Sequence, residues 1–326
     1  MTPREIIQRC IHFENPPRFG LRFATSAEKS DIWGTGAGPD PAWQPKLEGE
    51  DEWGFVWDTA IEGGRVKAAM GQVKTHPLAD WSAWDSFVPP DGSVPARFEG
   101  AKAFRAANPD KYVTGGVGIS GFNRMMFIRG LENVMVDMVA EHEKFTALAD
   151  AVFGFENDLI RGLGACGLDG IWFGDDWGTQ RGLMVRPELW RELFKPRFAE
   201  QFDLVHGYGM DVIFHSCGQV HDILPDLIEI GADVLNLNQP ELWGADRLAE
   251  DFGGKVCFHC PVDAQRTLVT GPIEAIRAEA KHLVDRLGCY GGGFIACADE
   301  AWEHGSVPAE HVAAMSAAFE ELAGLA

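Results

Sequence analysis

The chain has 326 residues, 46% of them hydrophobic, and its 28 Lys and Arg against 49 Asp and Glu give a formal net charge of −21. This length suits one α/β domain with insertions, and the composition can bury a substantial core. So acidic a chain repels phosphate backbones, which excludes nucleic acid as an expected partner. Residues 1–18 carry charges throughout, and no stretch of about 18 uncharged apolar residues occurs. We therefore expect a cytoplasmic protein without a signal peptide or a membrane contact.

Eight short apolar runs predict β-strands. They are rich in β-branched and aromatic residues and mostly lack strict alternation, as is typical of strands buried on both faces. The runs are 18–23, 53–57, 112–118, 170–176, 211–218, 233–239, 255–260 and 292–297. Eight is the number of strands that closes a (β/α)₈ barrel of the TIM type.

Amphipathic segments separate the runs from residue 110 onward. In 145–159 the apolar residues repeat at spacings of three and four, which makes one helical stripe. In a later segment, Pro272 suits the first turn of a helix and Gly288 the position just past its end. This alternation of strands and helices indicates a parallel sheet and an α/β fold.

Residues 24–110 give poor helix signals. Six of the eleven tryptophans lie there, at positions 33, 43, 53, 57, 81 and 84, among many glycines and prolines. We interpret 24–110 as an N-terminal excursion packed over the barrel, where it forms one wall of the mouth; a plain structural insertion is the alternative. Because no internal repeat or low-complexity linker is found, 1–326 is predicted to be a single domain.

Polar residues follow the predicted strands at many consecutive strand ends. A scaffold alone would not need them, because each buried polar group must find a partner. In a barrel of this type the loops after the strands form the active face. The residues concerned are Asp175, Asp176, His215, Cys217, Asn236, Asn238, Gln239, His259, Cys260, Cys297 and Glu300.

His215 and Cys217 lie two residues apart at the end of a strand, so their side chains should share a face. Zinc favours imidazole and thiolate ligands, and catalytic zinc sites use three protein ligands and one open position. Cys297 ends the last predicted strand and could reach the same mouth. The alternative is that the cysteines are core residues and that His215 caps a backbone group. An odd count of seven cysteines argues against a disulfide framework.

The adjacent carboxylates Asp175 and Asp176 follow another strand. Neighbouring side chains on a strand point to opposite faces, so only one of them should enter the barrel. That one could be a general base, a metal ligand or a substrate anchor. An Asp that caps the next loop or helix explains the pair equally well.

Several segments resemble the uroporphyrinogen decarboxylase-like superfamily. The most specific are "GDDWGTQRGLMVRPELWRELFKPRF" and "FHSCGQVHDILPDLIEIGADVLNLNQP", within 174–199 and 213–240. The resemblance covers nearly the whole chain and implies a single TIM-type barrel. True decarboxylases of this superfamily need no metal and carry an arginine-rich N-terminal motif, whereas the matching region here reads "GLRFATSAEKSDIWG".

The other branch of the superfamily contains zinc-dependent methyltransferases of corrinoid systems, which carry His-x-Cys and a distant Cys. The resemblance to this branch implies that His215, Cys217 and Cys297 hold zinc. Cys297 comes a few residues earlier than the branch's last cysteine, so Cys260 or Glu300 remain alternative ligands. We favour Cys297, because Cys260 is followed by Pro261, where the chain is already turning.

Together these features predict a zinc-dependent methyltransferase that moves a methyl group between a small molecule and a corrinoid protein carrying cobalamin. Asp175 and Asp176 are the catalytic candidates. Substrate binding is assigned to the polar residues Asn236, Asn238, Gln239 and His259. One rival is a metal-free decarboxylase-like lyase for a small carboxylic acid, and another is a binding protein with a degenerate site. A homodimer is left open, as are the methyl donor, the acceptor and the direction of transfer.

Overall fold

The computed structural model describes residues 1–23, 28–62, 65–140, 142–298 and 307–325, with the backbone alone at 58–62, 65–72 and 142. The strands are β1 Gly20–Phe23, β2 Ile32–Gly36, β3 Val56–Glu62, β4 Arg65–Thr75, β5 Tyr112–Ile119, β6 Gly170–Gly174, β7 Asp211–His215, β8 Val234–Asn236, β9 Cys257–Cys260 and β10 Phe294–Ala298.

The helices are α1 Pro3–Ile11, α2 Glu99–Ala107, α3 Gly121–Arg129, α4 Leu131–Ala140, α5 His142–Gly164, α6 Pro187–Leu193, α7 Lys195–Gly207, α8 Leu224–Glu229, α9 Ala245–Phe252, α10 Thr267–Thr270, α11 Ile273–Leu287 and α12 Ala309–Leu322. Short 3₁₀ turns occupy Trp81–Ser86, Pro95–Phe98, His221–Ile223 and Pro240–Leu242. The stripe at 145–159 lies in α5, and α11 starts after Pro272 and ends before Gly288, as predicted.

Eight parallel strands form one sheet in the order β1-β10-β9-β8-β7-β6-β5-β2. Its two end strands meet where the N–H of Asp31, just before β2, donates to the carbonyl of Leu21 in β1 at 2.8 Å. The Asp31 carboxylate also accepts from the Leu21 N–H at 2.9 Å. The sheet therefore curls into a nearly closed ring surrounded by helices, and the predicted (β/α)₈ TIM barrel is confirmed.

The second strand of the barrel was predicted wrongly. The run 53–57 leads into β3, which pairs with β4 in a separate antiparallel two-stranded sheet, whereas β2 pairs with β5 in the barrel. The run is apolar because Trp53, Phe55 and Trp57 pack on aromatic side chains of the barrel helices, among them Phe127. Strand β2, with the sequence "IWGTG", is short and glycine-rich and gives a weak apolar signal.

The barrel interior is filled by alternate residues of its strands. Ile213, Val234, Cys257 and Ile295 form one buried cluster with residues of α1, which closes the amino-terminal end of the ring. Because side chains alternate along a strand, residues two positions further on point to the same interior and face the opposite, carboxyl-terminal end. No helix among the described residues is both long and apolar enough to cross a membrane.

Candidate metal centre

Donor atoms of Asp176, His215 and Cys217 lie within 4.8 Å of one another. The His215 Nε2 atom is 3.4 Å from Cys217 Sγ and 3.4 Å from Asp176 Oδ1. His215 is the last residue of β7, and Asp176 follows the end of the adjacent strand β6. The carboxyl ends of two neighbouring parallel strands thus bring together an imidazole, a thiol and a carboxylate, which is a donor set suited to zinc.

Asn236 fixes the orientation of the His215 ring. Its amide nitrogen donates to the backbone carbonyl of His259 at 2.7 Å, so its oxygen is left to face His215 Nδ1 at 2.6 Å. Since that oxygen can only accept, Nδ1 must carry the proton. The unprotonated Nε2 then lies 3.4 Å from both the Asp176 oxygen and the Cys217 sulfur, and the carboxylate charge favours a proton or a cation at Nε2. The residues present therefore fit a metal ion.

The electrostatics of the three side chains also favour a cation at the site. Burial acts to lower the pKa of His215, but the hydrogen bonds and charges of Asp176 and Cys217 outweigh it and raise the pKa to about 10. Burial acts to raise the pKa of Asp176, yet His215 and the Cys217 N–H hold it below its usual value. The pocket thus stabilises positive charge at Nε2.

Two loops must approach closely to build this centre. Gly218 has a φ of +76°, and a Cβ there would lie 2.2 Å from the backbone of Gly178. The Gly178 N–H donates to the Cys217 carbonyl at 3.1 Å, and the Cys217 N–H donates to Asp176 Oδ1 at 2.8 Å. The side chain of the buried Gln239 accepts from the Gly218 N–H at 3.1 Å. This hydrogen bond supports the loop that carries Cys217.

Asp175 points away from the metal centre. It is fully buried, and its two oxygens accept from the N–H groups of Phe122 and Asn123 at 3.1 and 2.8 Å. These N–H groups belong to the first turn of α3, where a carboxylate is favoured by the helix dipole. Burial raises the pKa of Asp175 well above its usual value, with Glu156 and Asp176 adding to the effect. The structure therefore places Asp175 at a helix cap and Asp176 at the site.

Cys297 and Cys260 lie on opposite sides of the barrel wall. Cys297 is two residues after Ile295, so it shares the interior face of β10, and it is 1% exposed. Cys260 follows His259 on β9 and belongs to the core between sheet and helices. In the described part of the chain, Cys297 is not among the donors that lie within 4.8 Å of one another. Glu300 lies outside the described residues.

His259 lies in the barrel interior at the level of the centre. It is 1% exposed, and its ring packs edge-on against Trp172 at 5.7 Å between centroids. Burial, with the charges of Arg22 and His215, holds the pKa of His259 well below its usual value, so the ring is neutral. Its Nε2 has no hydrogen-bond partner among the described residues. Asn238 is half-buried, and its backbone carbonyl accepts from the Ala264 N–H at 3.1 Å.

Two residues near the centre, Trp172 and Arg22, were not predicted from the sequence. The Trp172 ring stacks on His215 at 6.1 Å, and the Arg22 guanidinium lies 4.9 Å from the Trp172 ring centre. A charged residue inside the apolar run 18–23 was a usable signal for Arg22. Trp172 gave no signal beyond those of any apolar strand residue.

The fold and the centre define a TIM barrel with a candidate metal site at the carboxyl ends of its strands. The chain belongs to the uroporphyrinogen decarboxylase (URO-D) family, whose model matches residues 66–322. The resemblance to that family is thereby confirmed. No curated protein sequence matches the chain.

Solved structures similar to the barrel include the following two. A methyltransferase from Methanosarcina mazei is 20% identical with a TM-score of 0.62, over 81% of this chain and 75% of that chain. A B12-independent methionine synthase from a Shewanella species is 13% identical with a TM-score of 0.49, over 69% of this chain and 66% of that chain. The first likeness concerns the fold alone, and the second carries no argument about function.

Proposed function

We propose that this protein is a zinc-dependent methyltransferase that moves a methyl group between a small molecule and a corrinoid protein. The observation that carries the proposal is the convergence of Asp176 Oδ1, His215 Nε2 and Cys217 Sγ within 4.8 Å, with the ring of His215 held by Asn236. Membership of the URO-D family and the fold shared with a methyltransferase support it.

In this proposal Asp176, His215 and Cys217 hold the ion, and Cys297 on the same interior face supplies a further thiolate. Bound zinc acts as a Lewis acid on the methyl-bearing heteroatom or keeps an acceptor thiol ionised. The chain's own residues do the rest. Asn236 keeps Nδ1 of His215 protonated and its Nε2 directed at the ion, and Asp175 anchors the segment that carries Asp176 to α3.

His259 is proposed to contact the substrate. A neutral imidazole with an unpartnered Nε2, buried in the interior at the level of His215, offers one hydrogen bond to a bound small molecule. Asn238 and Gln239 were assigned the same role. Since Gln239 already bonds the Gly218 N–H, its proposed role is to support the loop, while Asn238 keeps the substrate assignment.

The test starts with metal content. Protein purified without added zinc should hold about one zinc per chain by mass spectrometry, and His215→Ala or Cys217→Ala should lose it while the barrel stays folded. His282→Ala and Cys289→Ala are matched controls, because both residues are exposed and remote from the centre. A double His215→Ala, Cys217→Ala variant that keeps stoichiometric zinc would contradict the proposal.

The second part of the test is transfer itself. Free cob(I)alamin replaces the corrinoid protein, and methylcobalamin formation is followed by its absorbance with a panel of O-, N- and S-methyl compounds. The rival, a metal-free lyase, predicts no zinc and release of CO₂ from a small acid. Because the arginine-rich motif of porphyrinogen decarboxylases is absent from 20–34, we expect no turnover of uroporphyrinogen. Turnover at enzyme-like rates would overturn the methyltransferase assignment.

A further inference from the structure

A cavity opens at the barrel mouth, on the side of β2 and β5. It has a volume of about 490 Å³, which is ample for a small ligand. Its walls come chiefly from the carboxyl ends of the two strands, from the segment that follows β2, and from residues between 43 and 57 of the excursion. Strands β6 and β7, which carry the candidate metal centre, lie next in the ring after β5. The cavity is therefore separate from the metal-binding residues but shares their face of the barrel.

Aromatic side chains form much of this cavity. Trp43, Trp53, Phe55 and Trp57 line it, and Trp43 and Trp57 are half-exposed. One part of the wall already holds a cation. The Arg124 guanidinium lies 5.5 Å from the ring centre of Trp53. Indole faces attract cations through their quadrupole, so the surface is chemically suited to positive charge.

The two arginines that line the cavity are already neutralised. Arg97 is 2% exposed and donates to both oxygens of Glu52, at 2.8 and 2.7 Å. Arg124 lies 3.5 Å from the fully buried Glu156 and donates to the Val117 carbonyl at 3.0 Å. Neither arginine is therefore available to attract an anionic ligand.

Two further carboxylates in the same wall, Glu50 and Asp51, form no ion pair with a described side chain. Among the described residues, the Asp51 carboxylate accepts from the N–H of Trp53 at 2.8 Å, and the Glu50 carboxylate accepts from N–H groups of its own turn, at Lys46 and Leu47. Across the described side chains, no cation lies within ion-pair distance of either. Burial raises the pKa of Asp51, and the Trp53 N–H and the charge of Arg124 do not outweigh this effect. The cavity thus combines tryptophan faces with an excess of negative charge.

From this combination we propose that the cavity binds a methylated ammonium cation. A quaternary ammonium carries charge for Asp51 and Glu50 and presents methyl groups to Trp43 and Trp57. It has no N–H groups that would be left without acceptors in an aromatic pocket, so burying it costs less than burying a lysine-type ammonium. The net charge of −21 adds long-range attraction for cations. The proposal concerns binding alone and does not require zinc at the metal centre.

Choline and its uncharged isostere 3,3-dimethylbutan-1-ol provide the decisive comparison, by titration calorimetry on the full chain. Choline should bind with one site per chain and about tenfold or more tighter than the isostere, because only the charge differs. Equal affinities, no choline binding, or tighter binding of the anion 3,3-dimethylbutanoate would each overturn the proposal. Because this comparison uses the unmodified protein, its outcome does not depend on whether a variant folds.

Variants then locate the site. Asp51→Asn keeps the acceptor for the Trp53 N–H but removes the charge, and Trp43→Ala removes an aromatic face; each should weaken choline about fivefold or more. Asp85→Asn and Trp84→Ala are the controls, since both residues belong to the same excursion but do not line the cavity. Equal losses in controls and test variants would contradict the assignment. His215→Ala should leave choline affinity unchanged, so failure of this site and failure of the zinc proposal are read separately.

Discussion

At the scale of single residues, the candidate metal centre depends on a hydrogen bond to His215 Nδ1, on the side of the ring that faces away from Asp176 and Cys217. Asn236 was predicted to bind substrate. In the structure its side chain forms hydrogen bonds with His215 Nδ1 and with the backbone carbonyl of His259. A ligand histidine whose second nitrogen is fixed binds metal more tightly, because the correct tautomer and ring orientation are already in place.

Asn236→Ala should therefore weaken zinc binding by about 10- to 100-fold, measured by competition with a chromophoric chelator. Asn236→Asp should retain most of the affinity, because a carboxylate oxygen still accepts from Nδ1. Asn238→Ala is the matched control and should leave zinc affinity unchanged. If Asn236→Ala binds zinc as the unmodified protein does, Asn236 does not orient the ligand.

The choice between Cys297 and Cys260 is also a question of single residues. Cys297 shares the interior face with Ile295, whereas Cys260 packs between sheet and helices, where burial raises its thiol pKa far above the usual value. Cys297→Ser should lose zinc and Cys260→Ser should keep it, both measured by metal analysis. Retention of zinc in both variants would remove Cys297 from the ligand set and leave Asp176, His215 and Cys217. Loss of zinc in Cys260→Ser alone would replace Cys297 with Cys260.

At the scale of elements, the start of α3 is held by buried acids. Asp175 accepts from two of its N–H groups, and Glu156 on α5 accepts from the Gly121 N–H at 2.9 Å. Gly121 has a φ of +49°, and a Cβ there would lie 2.5 Å from an oxygen of Asp175. Asp175 thereby ties the start of α3 to the end of β6, next to Asp176.

Asp175→Ala should lower the free energy of unfolding by about 2–4 kcal/mol, because two buried N–H groups lose their acceptor. Asp175→Asn should lose less, since one acceptor oxygen remains. Urea denaturation followed by circular dichroism measures both. Asp80→Ala is the control, because Asp80 caps an exposed turn where water can replace it as the acceptor for the Ser82 N–H. The free energy of unfolding should fall clearly less in this variant than in Asp175→Ala. Equal decreases in the free energy of unfolding for Asp175→Ala and Asp80→Ala would show that burial of Asp175 does not increase its contribution to stability.

At the scale of the whole molecule, the barrel closes through one buried acid. Asp31 receives two bonds from Arg18, at 2.6 and 2.8 Å, besides the one from the Leu21 N–H. Its side chain is 3% exposed and that of Arg18 is 15% exposed. Removing one partner of such a pair leaves an uncompensated charge in the seam between β1 and β2.

Asp31→Ala should therefore destabilise the fold by about 3–5 kcal/mol, read from the midpoint of urea denaturation. The matched control is Lys29→Ala, which breaks a pair with Glu320 in which the lysine is 46% exposed; its effect should stay within about 1 kcal/mol. A loss at Asp31 no larger than that at Lys29 would show that the seam is held by the remaining backbone contacts.

The sequence by itself determined the barrel and most of its strands. Seven of the eight predicted runs overlap barrel strands, because strands buried on both faces need continuous apolar residues and the helices between them need one apolar stripe. The shared face of His215 and Cys217 also followed from the sequence, since two residues apart on a strand means the same side.

Only the tertiary structure decided the rest. The second strand was misplaced because β2 is short and glycine-rich, while the stronger apolar run at 53–57 is buried by aromatic packing outside the barrel. Alternation predicted that one of Asp175 and Asp176 enters the site, but the choice depends on which face α3 covers. The role of Asn236 depends on its contact with a histidine 21 residues away. Such pairings come from register between strands, which a linear sequence does not contain.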